Sequence, residues 1–470
     1  MGNFVLVPEA LMVASAVGLL LAGRLSWVAG ARRRNLPALA AGAALVAFAL
    51  ELWVGATTSS YFGGALVQDR FALFAKAAVL LAAALAIATA DWSAEDSTSI
   101  GLAMPLLAVF GVMVAASSGD LLALWAGLEL AAASGVVMVA LRRPDIGLRL
   151  LLAGGVASAL LLVGLAYLYA TTGNADLVAI RAVLMGSAPT LPFAIPVLVL
   201  VSGLAVRAGL APFQLAGLAA GLGASPMGAG VVLGLVAAVA AVVAIKLGAT
   251  LLSVSDAMST YLEVLAAVAM VGGGAAALAV RAPRARIAYL AAGQVGWVAA
   301  GLVTHYRTGV GASLFLLGAF AVAATCAPAV LGRAEAGEMA IAGFGTLRPA
   351  RAAGLALAML SLAGVPPLAG AFGELAVAAS LAQSGHFALL ALGLLGWALG
   401  VAGAAGTLRV MYLQGPVEEG RRGQAAALPL LTGLSSLGAA ALCLVIAAYG
   451  LLGNPIMSLA DQGAEALGLK

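Results

Sequence analysis

The chain has 470 residues, of which 64% are hydrophobic and 9% charged, and a formal net charge of +4. Globular domains average about 25% charged residues, so a stand-alone soluble enzyme is excluded and no soluble domain of useful size is left over. The basic residues fall in short loops and form no patch, so nucleic acid is not an expected partner, whereas the lipid bilayer is.

Apolar runs of membrane-spanning length recur along the chain with short polar breaks. They cover 4–23, 37–55, 70–91, 99–117, 119–141, 147–171, 191–220, 226–249, 259–280, 286–304, 309–332, 349–383, 386–413 and 426–452. The fold class is therefore an all-α membrane protein with about fourteen transmembrane helices. The first run lacks a basic leader region and is long enough to span. It reads as a membrane helix and not a cleaved signal. Small residues are abundant, with 60 glycines, as close helix packing in lipid requires.

The runs 191–220 and 349–383 exceed one crossing, and each is interrupted by proline: Pro212 in the first, Pro366 and Pro367 in the second. Such breaks free backbone groups and are tolerated where protein or water satisfies them. Gly209-Leu-Ala-Pro212 is echoed 155 residues later by Gly364-Val-Pro-Pro367. An odd number of helix steps, five, separates the two, so the second copy crosses the membrane in the opposite direction. Paired broken helices of this kind point to inverted repeats.

Arginines set the expected orientation. Arg32, Arg33, Arg34, Arg142, Arg143, Arg281, Arg284, Arg286, Arg333, Arg348, Arg351, Arg421 and Arg422 fall in loops on one side. The other side has Arg70, Arg181, Lys246 and Arg307. The positive-inside rule puts the first group in the cytoplasm and both termini outside. The expected location is a bacterial cell (inner) membrane.

Four ionisable residues inside these runs carry the functional reading: Glu129, Lys76, Arg207 and Glu374. An acid at the centre of a membrane helix costs roughly 2.5–3.5 kcal/mol on insertion scales, so its retention suggests a use. The bland use is a hydrogen bond that locks helix packing; the sharper one is proton carriage. Glu129 and Arg207 are expected to form a buried ion pair, since each alone is uncompensated. Lys76 lies early in its helix and can snorkel outward. Cys326 and Cys443 read as small core residues. His305 and His386 lie far apart near helix ends and suggest no metal site. No glycine-rich loop follows a strand, so a nucleotide site is not supported.

Several stretches carry a resemblance. They are Pro8-Glu9, Trp125-Ala-Gly-Leu-Glu129-Leu, Arg149 to Gly164, Gly209-Leu-Ala-Pro-Phe213 and Ile287 to Gly296. Leu360-Ser-Leu-Ala-Gly-Val-Pro-Pro-Leu-Ala-Gly370 with Phe372-Gly373 is the most specific, and Leu408-Arg409-Val410 follows it. Through these the chain resembles, over nearly its whole length, the antiporter-like membrane subunits of respiratory complex I, and among them the subunit N family of bacterial NADH-quinone oxidoreductases. The resemblance implies two inverted five-helix repeats, at 99–250 and 251–415, between an N-terminal unit 1–98 and a C-terminal helix and tail 416–470. It implies no cofactor in this chain; NAD, flavin (FMN), iron–sulfur clusters and quinone belong elsewhere in the complex. The implied partners are the other membrane subunits. The implied activity is that of a non-redox subunit of a translocase, coupling quinone reduction elsewhere to proton movement through a buried glutamate and a row of lysines.

The departures fall on the titratable positions. Glu129 is kept. The family's seventh-helix lysine is matched by Arg207, and arginine keeps its proton in proteins. The following histidine is matched by Gln214, and the stretch beyond it is Ala216-Gly-Leu-Ala219. The eighth-helix lysine falls on Ala237, with Lys246 nine residues on. The tenth-helix histidine is matched by Gln294 and the twelfth-helix lysine by Glu374. The expected proton path is thus Glu129, Arg207 and Glu374, with Lys76, Gln214, Gln294, Lys246 and Arg149 as further polar-axis positions. Glu374, with no evident cation beside it, is the candidate carrier. Three readings stay open: a proton-moving complex I subunit, a scaffold subunit with a degenerate channel, or a related cation/proton antiporter or membrane hydrogenase subunit.

Overall fold

Helices start where the sequence places a cap before an apolar run. Asp69, Asp120 and Asp176 accept from the backbone N–H of Ala72, Ala123 and Ala179 at 2.7, 2.6 and 2.8 Å. Each satisfies a donor that the first turn leaves free. Pro144, Pro283 and Pro349 occupy first helical positions, where no N–H is needed.

In this computed structural model the described residues are 5–24, 35–55, 58–92, 99–186, 191–251, 256–332, 341–415 and 429–468. Arg32, Arg33, Arg34, Arg333, Arg421 and Arg422 lie outside them. The chain runs α1 (Val7–Arg24), α2 (Leu36–Val54), a small antiparallel hairpin β1 (Ser59–Tyr61) and β2 (Leu66–Gln68), then α3 (Arg70–Thr89), α4 (Ser99–Ser117), α5 (Leu121–Ala140) and α6 (Pro144–Thr172). It continues with a short α7 (Leu177–Met185), α8 (Leu191–Ala208), α9 (Leu215–Gly223), and α10 (Pro226–Gly230) joined through a π turn to α11 (Ala237–Leu251). Then come α12 (Asp256–Ala279), α13 (Pro283–Val303), α14 (Arg307–Leu331), the single turn α15 (Phe344–Leu347), α16 (Pro349–Leu362) and α17 (Ala369–Gln383). The chain closes with α18 (Phe387–Leu413), α19 (Pro429–Leu451) and α20 (Gly453–Ala466).

This is an all-α membrane protein. Among the described residues eleven helices are long and apolar enough to cross a bilayer, and Val7–Gly23, Ile195–Ala208 and Pro349–Leu362 are shorter apolar helices. The helix α14 is buried throughout and the α10–α11 segment is 94% buried, while α2 and α18 are each 33% buried and α6 is 28% buried. The first two therefore form the core, and the other three face outward. Close approach of α4 and α5 depends on Gly111 and Gly127, since a Cβ on either would run into the other's carbonyl oxygen.

Both expected breaks are present, between α8 and α9 and between α16 and α17, and they share local geometry. Gly209 and Gly364 sit at φ 67° and 70°, and each is followed three residues later by the proline of a cis peptide, Pro212 and Pro367. The loop residues sort into two rims. On one, Arg348 and Arg351 reach Asp91 at 3.4 and 3.2 Å, and Arg284 donates to the carbonyls of Ala224 and Gly332 at 3.1 and 2.7 Å. On the other, Arg181 donates to the Leu467 carbonyl at 2.6 Å and Arg307 reaches Glu465 at 3.5 Å. The arginines of each rim are those the sequence groups together.

Candidate functional site

Two polar centres lie beside the two breaks. At the first, Glu129 projects from α5 and Arg207 from the last turn of α8. The Arg207 Nη2 donates to both Glu129 oxygens, at 2.6 and 2.7 Å. The expected ion pair is formed. The side chain of Arg207 is 8% exposed and that of Glu129 27%. Room for the guanidinium comes from Gly154 of α6, where a Cβ would stand 2.8 Å from Arg207 Nη1. Arg207 and Gln214 line a largely apolar cleft that reaches Tyr289 on α13 and Phe320 on α14. The Gln214 Oε1 and the Arg207 Nε are buried with no hydrogen-bond partner.

At the second centre Glu374 projects from the first turns of α17 and is buried. Its carboxylate lies against Gly364, so closely that any Cβ there would overlap it. The neighbouring polar group is Gln294 of α13, whose Nε2 also donates to the Ser361 carbonyl at 3.0 Å. Trp397 closes the other side and donates from its indole N–H to the Gly364 carbonyl at 2.9 Å. Glu374, Gln294, Trp297 and Trp397 line a common pocket. Among the described residues Glu374 has no cationic partner, and its Oε2 accepts no hydrogen bond.

The remaining positions divide. Lys246 is buried at the far end of α11, where its Nζ donates to the Ser118 carbonyl at 2.5 Å and stands 5.5 Å from the Phe71 ring centroid. It joins neither break. Arg149 does not meet the other polar positions: it is exposed on the outward-facing α6. Lys76 is a correction. It does not snorkel but is completely buried, pairing directly with Glu9 and donating to Gln68 Oε1 at 2.6 Å. Gln68 in turn donates to Glu51 at 2.6 Å.

Sequence reasoning passes over Glu51 and Gln68. The signal for Glu51 was available: Leu50-Glu51-Leu52-Trp53 is the same pattern of an acid in an apolar run that singles out Glu129. Cys326 is buried, with its Sγ 3.6 Å from the Ala82 carbonyl, and Cys443 is half-buried. His305 meets Ser259 at 3.0 Å and His386 meets Ser384 at 2.8 Å.

The family model for the transmembrane part of NADH:quinone oxidoreductase and Mrp antiporter subunits matches residues 118–400. The chain belongs to this family. A curated relative, NADH-quinone oxidoreductase subunit N of Magnetococcus marinus, is 32% identical over 79% of this chain and 80% of its own length. The fold agrees with a chain of respiratory complex I from Thermus thermophilus with bound Aureothin, at a TM-score of 0.78 and 24% identity over 97% of this chain and 99% of that one. It also agrees with a chain of an archaeal membrane-bound sulfane sulfur reductase, at 0.83 and 19% identity over 98% and 96%. The family match spans both breaks and both polar centres.

Proposed function

We propose that this chain is the antiporter-like membrane-arm subunit N of a bacterial NADH-quinone oxidoreductase, and that its proton carrier is Glu374. The likeness to curated subunit N chains supports the assembly. One observation carries the proton assignment: the two acids beside the breaks sit in opposite surroundings. Glu129 is held by two hydrogen bonds from a permanently charged arginine. Glu374 is buried against Gly364 with only an amide beside it. A carboxyl group in that setting gains and loses a proton without breaking an ion pair. Gln294 has an N–H to offer and an Oε1 with no partner, so its amide faces either form.

The reading includes fourteen spans, made of the eleven long apolar helices and the three shorter ones. The shared geometry of Gly209 and Gly364 and of the two prolines supports inverted repeats, with units at 1–98, 99–250, 251–415 and 416–470. The rim arginines support an inner-membrane orientation with Arg284 and Arg348 inside and α20 outside. NAD, FMN, iron–sulfur clusters and quinone are assigned to other subunits, and this chain acts as a non-redox translocase subunit.

The test is proton uptake per quinone reduced, in vesicles holding equal amounts of assembled complex. For Glu374→Gln the ratio is expected to fall while electron transfer continues. An unchanged ratio in both Glu374→Gln and Glu129→Gln overturns the carrier assignment. It favours the scaffold reading, which the substitutions at Ala237, Gln214 and Gln294 already support.

A further inference from the structure

The N-terminal helices enclose a polar cluster that neither break uses. It joins Glu9 on α1, Glu51 on α2, Gln68 at the end of β2 and Lys76 on α3. We propose that this cluster is a proton-binding site, which holds one proton on the Glu51 carboxyl group.

Charge must balance in a space sealed from water. Lys76 and Glu51 have no exposure and Glu9 and Gln68 are 6% and 2% exposed. Lys76 pairs directly with Glu9 and stands 4.0 Å from Glu51 Oε1. Gln68 accepts from Lys76 and donates to Glu51 Oε1, so its amide is oriented by both. Two ionised carboxylates and one ammonium leave a net negative charge out of water, which proteins avoid by pairing or by neutralising the group.

Among the described residues the surrounding charges do not supply the missing cation. Lys246 on α11 is spent on the Ser118 carbonyl and the Phe71 ring, and Asp69 at the start of α3 is the acid whose charge acts on it. The charged groups acting on Glu51 itself are Lys76 and Glu9. The Glu51 Oε2 is fully buried and has no hydrogen-bond partner, and the same is true of the Glu9 Oε2. The Glu51 Oε2 is the oxygen left open when Gln68 occupies the other, and the one that takes the proton. The ammonium rests directly on Glu9 and stands 4.0 Å from Glu51, so Glu9 is the carboxylate that it balances.

The site titrates by charge count, which the test exploits. Infrared spectra of the assembled complex in H2O and D2O report the carboxylic-acid C=O stretch, and wild type minus variant isolates the cluster. Glu51→Gln is expected to assemble normally and to lose one such band, since glutamine copies the protonated acid. Glu9→Gln is expected to lose the same band, because Lys76 then balances an ionised Glu51. Lys76→Met is expected to gain a second band, both acids being neutral once the ammonium is gone. Loss in both glutamine variants supports the site. Unchanged bands in both, or failure of Glu51→Gln alone to assemble, overturns it. Disappearance of the wild-type band as sodium is raised assigns the site to a metal cation and likewise overturns the proton assignment. None of these readouts depends on whether Glu374 carries protons.

Discussion

Beside the first break, an arginine on the helix before it holds a carboxylate from a neighbouring helix. Beside the second, a carboxylate on the helix after it faces an amide. The backbones share two features, a left-handed glycine and a proline three residues on. The electrostatic solutions are opposite. One backbone device, which opens a helix and frees its polar groups, can therefore frame either an arginine–carboxylate pair or a carboxyl group beside an amide, and the choice lies in side chains on the broken helix and its neighbours. On the proposed assignment of Glu374, proton handling is a property of one half and not of the repeated fold.

The largest expected effect comes from breaking the fixed pair. Arg207→Ala leaves the Glu129 charge partly buried without its partner. Removing one member of a fully buried pair costs about 3–5 kcal/mol; because the Glu129 side chain keeps 27% exposure, about 2–4 kcal/mol is expected. The amount of assembled complex in the membrane should drop, as should its inactivation temperature. Arg207→Lys keeps the charge and should retain assembly, since one nitrogen, Nη2, makes both observed bonds. Equal losses in the two variants would mean that the shape of the guanidinium matters and its charge does not.

A matched pair of substitutions sharpens the contrast between the breaks. Gly209→Ala and Gly364→Ala each force a side chain into the left-handed region, at about 1–2 kcal/mol. At Gly209 the new methyl meets nothing within 4 Å, so the backbone cost is the whole cost. At Gly364 it overlaps the Glu374 carboxyl and approaches Trp397. Gly364→Ala should therefore lose more thermal stability than Gly209→Ala and, alone of the two, lower the protons moved per quinone reduced. Identical behaviour would show that Glu374 yields freely and that its pocket is not rigid.

Much of this was legible in the sequence because the rule involved is one-sided: a charge in an apolar run has to be answered. That rule marks Glu129, Arg207 and Glu374, and it pairs the first two. It could not name the partner of Lys76, since Glu9 lies 67 residues away and Gln68 is in a hairpin. Nor could it set the facing of Arg149, because periodicity is silent on which side of an apolar helix meets lipid. The hairpin, α7, α15 and α20 are too short or too polar to register as spans. Of these α20 matters most, because it packs back onto α3 and α14, where Gly463 meets Leu314 and the Phe71 backbone.

The smallest expected effect lies on that helix, and it is the same contrast in weak form. Asp461 on α20 rests over Gly311 of α14. Burial raises its carboxyl above the usual aspartate value of 3.8, while the nearby Arg307 pulls it down. Between 3.8 and that raised value the docked helix binds more protons than the undocked one, so docking strengthens as the pH falls. The gain is complete below the ordinary aspartate value and is lost as the pH rises through the raised one. Asp461→Asn should remove this dependence and leave α20 slightly better protected at neutral pH, read as protease resistance of the C-terminal helix across mildly acidic to neutral buffers. Glu465→Gln, which breaks only the exposed pair with Arg307, should change protection little, since such pairs contribute about 0–1 kcal/mol. A pH profile that flattens in Glu465→Gln and persists in Asp461→Asn would place the titrating group on the rim and leave burial of Asp461 without consequence.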